Sequence, residues 1–228
     1  MRFTNARAIR LASAIGIVVV LGTGAGCTTF SRPDDAIVLK SQGARAFAGT
    51  RVANERDPTN YLACDHGYTE WQIPVDAKKT PIVLTHGSGT RGYQSTFGGK
   101  PGFQSMYLKA GFPVYLVDLP RTGRAGLSCD KFTWDPHNEL WSARFVFINN
   151  KTFWPGVAFS KDPEAWNQYS RVQYVEFGAE ADIVREARAQ AVLMDEVYRD
   201  HGAKGILFSH SSGGTRSIRT GMMTDNVG

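Results

Sequence analysis

Three cysteines in 228 residues, none at a cysteine–histidine spacing that would ligate a metal, leave no case for a metal centre. The glycines at 87 and 89 are followed by no Gly-Lys-Ser/Thr and their spacing is irregular, which argues against a phosphate-cradling nucleotide loop. No internal repeat or low-complexity tract is present. The apolar stretch Leu11–Leu21 is shorter than the about 20 residues a membrane-spanning helix needs. Net charge is also nearly absent once the amino terminus is set aside. Residues 1–26 hold three arginines and no acid, which leaves 23 basic against 21 acidic residues in the remainder. A net charge of about +2 gives no electrostatic reason to bind nucleic acid. A hydrophobic content of 42%, with 11% aromatic, is that of a globular chain and excludes a disordered one.

What is present begins at the amino terminus. Arg2, Arg7 and Arg10 precede the Leu11–Leu21 run, and small residues lead on to Cys27, the pattern of a secretory signal peptide over residues 1–26. Gly24-Ala25-Gly26-Cys27 resembles a bacterial lipobox, in which Cys27 is lipidated and becomes the new terminus. Two outcomes of export stay open, a lipid-anchored form, periplasmic or on the outer membrane, and a soluble secreted one. Export puts the other two cysteines, Cys64 and Cys129, in an oxidising compartment, where a disulfide between them competes with two separate thiols.

The remainder alternates between strand and helix patterns. Ala36–Lys40, Ala46–Ala53 and Trp71–Val75 read as a leading antiparallel section. Thr80–Thr85, Pro113–Leu119 and Ala203–Phe208 read as buried strands, and Phe103–Ala110, Glu180–His201 and Gly213–Met223 as helices. In Glu180–His201 the apolar stripe is Ile183, Ala187, Ala191, Met194 and Tyr198, with Gly202 as the stop. This order predicts a mainly parallel sheet covered by helices on both faces. Between Cys129 and Val175 lies an irregular segment bearing Trp134, Trp141, Trp154 and Trp166, read either as an aromatic lid or as local packing of an insertion.

The candidate chemistry centres on Ser209-His210-Ser211-Ser212-Gly213-Gly214, which joins a strand pattern to a helix pattern. Such a strand–turn–helix exposes its central serine on a strained backbone, and crowding there demands small residues two positions before and after it. Ser209 and Gly213 meet that demand and make Ser211 the nucleophile; the bland alternative is a serine- and glycine-rich loop without chemistry.

With this elbow, Ile82–Ser128 resembles the α/β-hydrolase superfamily, and more narrowly a group of secreted bacterial serine esterases. The residues that carry the resemblance are His86-Gly87-Ser88-Gly89, Gly99-Lys100-Pro101-Gly102-Phe103, the strand Gly111–Asp118 and Arg121-Thr122-Gly123-Arg124; it covers residues 35–228. It implies an α/β-hydrolase fold, hydrolysis of small carboxylic esters without a cofactor, and an oxyanion hole built from the backbone N–H groups of Ser88 or Gly89 and of Ser212. It also implies an acid and a histidine after the nucleophile. His66, His86, His137 and His201 precede Ser211 and His210 adjoins it, so none takes that position; His86 is the nearest substitute. Thr224–Gly228 reads as the lead-in to a further strand. The resulting expectation is a domain lacking its C-terminal part and inactive as it stands, with a non-catalytic hydrolase remnant or a surface lipoprotein that only binds as the rival.

Overall fold

The computed structural model describes residues 36–86, 91–96, 100–126, 128–129, 148–149, 152–158, 160–171 and 178–228. Two long strands come first, β1 (Leu39–Asn54) and β2 (Asp57–Pro74). They turn over Glu55-Arg56, where the Arg56 N–H donates to Asn54 Oδ1 at 3.0 Å. Where sequence patterning predicts the three short strands Ala36–Lys40, Ala46–Ala53 and Trp71–Val75, the structure has two long ones. Gly43 and Gly67 sit inside the ladder opposite an aromatic residue, Gly43 across from Trp71 and Gly67 across from Phe47. A Cβ at either would lie 2.3 Å from the Trp71 ring or 2.1 Å from the Phe47 ring, so the missing side chain is the space the aromatic fills.

Then follow β3 (Ile82–His86), the short helices α1 (Arg91–Gln94) and α2 (Phe103–Lys109), and β4 (Val114–Asp118). A two-residue hairpin, β5 (Ile148–Asn149) with β6 (Thr152–Phe153), and helix α3 (Pro163–Arg171) are what is described of the irregular segment; Trp134 and Trp141 lie outside the described residues. Helix α4 (Glu180–His201), strand β7 (Ile206–His210) and helix α5 (Gly213–Gly221) complete the order.

The expectation of a mainly parallel sheet is corrected. The five-stranded sheet runs β1-β2-β4-β3-β7, with β1 and β2 antiparallel to each other and β2 antiparallel to β4. Only β4-β3-β7 is parallel. The long hairpin is paired along nearly its whole length, so the mixed sheet carries more antiparallel than parallel contact.

Helices do cover both faces. Side chains alternate along β3 and β4, sending Val83, Tyr115 and Val117 to a core shared with Leu193, Met194 and Val197 of α4. Ile82, Leu84, Val114 and Leu116 go to a second core with Tyr93 of α1 and Leu108 of α2. The α4 stripe differs from the periodic reading: Tyr198 is exposed, whereas Glu186, Gln190, Leu193 and Val197 are buried. That helix packs on two sides, against the sheet and against α5, so its buried arc is wider than one apolar stripe and includes polar residues.

Candidate active site

Strand β7 lies beside β3 in parallel register, with His210 opposite His86, and the next residue is Ser211. Ser211 has φ +57°, in the left-handed region that an L side chain occupies at a cost of about 1–2 kcal/mol. Its side chain is exposed and makes no hydrogen bond among the described residues. The turn closes with the Gly214 N–H donating to the Ser211 carbonyl at 2.9 Å, and Ser212 caps α5. At the start of a helix the first N–H groups have no carbonyl within the helix to bond, which leaves those of Ser212 and Gly213 without an intrahelical acceptor. Two before Ser211, the Ser209 hydroxyl bonds the Ser217 hydroxyl in α5. Gly213, two after it, is buried.

Ser88 and Gly89 lie outside the described residues. Ser212 is half-buried at the head of α5, and its Oγ is buried with no hydrogen-bond partner among the described residues. No histidine is hydrogen-bonded to Ser211 among the described residues. His201 is remote in role, since its Nε2 and the Tyr115 hydroxyl are 2.9 Å apart at the far end of α4. Burial holds the His201 imidazole below its ordinary pKa, opposed by the Asp200 carboxylate, and burial together with Asp200 pushes the Tyr115 phenol up to about 12.

The loop after β4, one strand removed from β7 in the sheet, is fixed by charge. Asp118 is fully buried and accepts from the Arg124 backbone N–H at 3.1 Å and from its Nε at 3.0 Å. Gly123 at φ +50° is required there, because a Cβ would stand 2.6 Å from Asp118 Oδ2. Arg121 donates to Asp182 at 2.6 Å and to the Ser128 hydroxyl at 3.1 Å, beside a disulfide that joins Cys64 to Cys129 with Cα atoms 5.4 Å apart. Arg121-Thr122-Gly123-Arg124, one of the segments that carry the family resemblance, is thus anchored at both arginines.

Beneath the site runs a set of buried polar residues that sequence patterning did not single out. Arg216 of α5 pairs with Glu186 of α4 at 2.5 Å. Thr220 donates to Gln190 Oε1 at 2.7 Å, and Gln190 Nε2 donates to Thr85 Oγ1 at 2.7 Å. The signal available in the sequence was the matched i, i+4 spacing of Glu186/Gln190 and Arg216/Thr220 on successive helices. A hollow of about 740 Å³ lies over β1, β2 and α2, lined by Gln42, Gln72 and Gln104, and takes no residue from the elbow. Among the described residues no group of three or more metal-ligating side chains occurs, and no helix is long and apolar enough to cross a membrane.

A parallel β4-β3-β7 core, helices on both faces and a strained serine between β7 and α5 define a fold of the α/β-hydrolase type. The chain is similar to the atomic-resolution structure of a novel bacterial esterase, with a TM-score of 0.65 and 19% identity over 85% of this chain and 67% of that one. A cold-adapted esterase from an Arctic intertidal metagenomic library aligns with a TM-score of 0.36 and 12% identity, covering 82% of this chain and 58% of that one, too distant to bear on the fold. In sequence the chain is 27% identical, over 179 residues, to a probable secreted lipase, phiG, of Fungal sp. (strain ATCC 74256). That alignment takes in 70% of this chain and 46% of the relative, so the chain spans about half the length of the curated relative it matches. No family model matches the chain.

Proposed function

We propose that this protein is an exported serine hydrolase of small carboxylic esters, with Ser211 as its nucleophile. The observation that carries the reading is the φ of +57° at Ser211, at the turn from a parallel strand into a helix. Backbone strain at an exposed serine is maintained only where surrounding structure enforces it, and an elbow of this kind presents Oγ to a substrate. The similarity to an esterase structure and to a secreted lipase supports the same class.

In the proposed reaction Ser211 Oγ attacks the ester carbonyl carbon, and the carbonyl π electrons move onto oxygen. The Ser212 N–H and that of Ser88 or Gly89 receive this oxyanion, each worth about 3–4 kcal/mol in the transition state. Collapse expels the alcohol and leaves an acyl-serine, which water hydrolyses to the acid. A base must take the Ser211 proton, and no described histidine is bonded to it. Residues 27–228 alone therefore turn over esters weakly, since an oxyanion hole and binding without a triad give about 10³–10⁴ over water. The same observation favours the second reading, a hydrolase fold that binds without catalysis. Residues 1–26 are assigned to a removed signal peptide, and Cys27 to the mature terminus of the lipid-anchored form.

The test is hydrolysis of p-nitrophenyl acetate by the exported protein and by its Ser211→Ala variant. Loss of turnover in the variant is expected; equal rates in the two would reject Ser211. Robust, Ser211-dependent turnover by residues 27–228 would place the base within this sequence, at His86 first.

A further inference from the structure

The ion pair between Glu186 and Arg216 is buried on both sides, at 4% and 3% side-chain exposure. Arg216 Nη1 also donates to the Ser212 carbonyl at 3.0 Å. One guanidinium therefore joins a carboxylate on α4 to the carbonyl of Ser212, the residue that follows the strained serine. A buried ion pair is a poor device for stability, because desolvating two charges cancels most of their attraction, and an apolar pair of similar size serves a core as well or better. What the apolar pair lacks is a donor aimed at Ser212. Strain at Ser211 makes that donor consequential: a residue at φ +57° relaxes unless its neighbours hold it, and the Ser212 peptide is the neighbour on the helix side.

We propose that Glu186 and Arg216 are positioning residues, which act through the Ser212 peptide to hold Ser211 and the adjacent oxyanion donor in their strained arrangement. The proposal rests on the reading of Ser211 as nucleophile for its functional meaning, but its structural content does not. Neither residue touches substrate. Glu186 fixes the guanidinium, and the guanidinium fixes the peptide.

The experiment compares wild type with Arg216→Met and with the paired variant Glu186→Leu/Arg216→Met, by thermal unfolding, peptide-resolved amide hydrogen exchange and ester kinetics. In the paired variant the unfolding midpoint is retained, while amides of 208–214 exchange about tenfold faster and those of β4 are unchanged. Where Ser211-dependent turnover is measured, kcat falls about 100-fold with KM unchanged, the size of effect expected from misplacing a catalytic group by about 1 Å. Unchanged exchange at 208–214 in the folded paired variant overturns the proposal. Unfolding of the paired variant also overturns it, since the ion pair would then be holding the fold. If the single variant does not fold, the paired one decides. Ser211→Ala with undiminished turnover would reject the esterase reading and leave the exchange result standing.

Discussion

Replacing Ser211 by glycine and by alanine separates the strain at the elbow from its chemistry. Both substitutions remove the hydroxyl, which is exposed and makes no hydrogen bond among the described residues, so neither leaves a buried partner unsatisfied. They differ in Cβ. At φ +57° the alanine keeps the clash of Cβ with the following carbonyl, worth about 1–2 kcal/mol, and glycine loses it. Glycine gives back about 0.4–1 kcal/mol through the larger entropy of its unfolded chain. The net expectation is that Ser211→Gly is more stable than Ser211→Ala by about 0.5–1 kcal/mol. For a domain of this size that is about 1–4 °C in Tm. Thermal unfolding followed by circular dichroism, with urea titrations to check that the m value is unchanged, measures it. Equal stability, or a more stable alanine variant, would refute the strained elbow and with it the observation on which the function rests. Both variants are expected to lose ester turnover, so the stability difference cannot be a by-product of activity.

Three further outcomes are expected. The disulfide spans 65 residues, and closing a loop of that length in the unfolded chain corresponds to about 4 kcal/mol; Cys64→Ala/Cys129→Ala is therefore expected to lower stability by up to that amount. Non-reducing peptide mapping of the exported protein should yield one linked peptide containing both cysteines, and two freely alkylated thiols would contradict it. His201 is held neutral by burial, so the unfolded state binds more protons than the folded one between the lowered pKa and 6.5. Stability is then fully present above pH 6.5 and declines as pH falls below it; His201→Gln should flatten that decline, and an unchanged slope would remove His201 as its source. Mass spectrometry of the mature terminus should find Cys27 first in a lipid-anchored product, whereas an intact Met1 would refute export through residues 1–26.

Much of the site was legible in the sequence because it is local. A strand, a turn of small residues and a helix specify an elbow within a dozen positions, and Ser211 takes its conformation from that succession. Helices α2 and α4, with glycines at their ends, and strands β3, β4 and β7 were legible for the same reason: apolar spacing and stop residues act over a few turns or a few pleats. Tertiary structure decided what depends on partners distant in the chain. Gly43 and Gly67 acquire their role only when Trp71 and Phe47 lie across from them, and so the long antiparallel hairpin, and the mixed character of the sheet, came only from pairing. Sequence patterning does not mark Glu186, Gln190 and Arg216 as buried before α5 packs on α4, because a polar residue is buried at acceptable cost only when a partner from another element meets it. The sequence by itself determined which residue is strained and where the elements lie. Packing determined which buried charges hold them, since that is a property of two helices together and of neither alone.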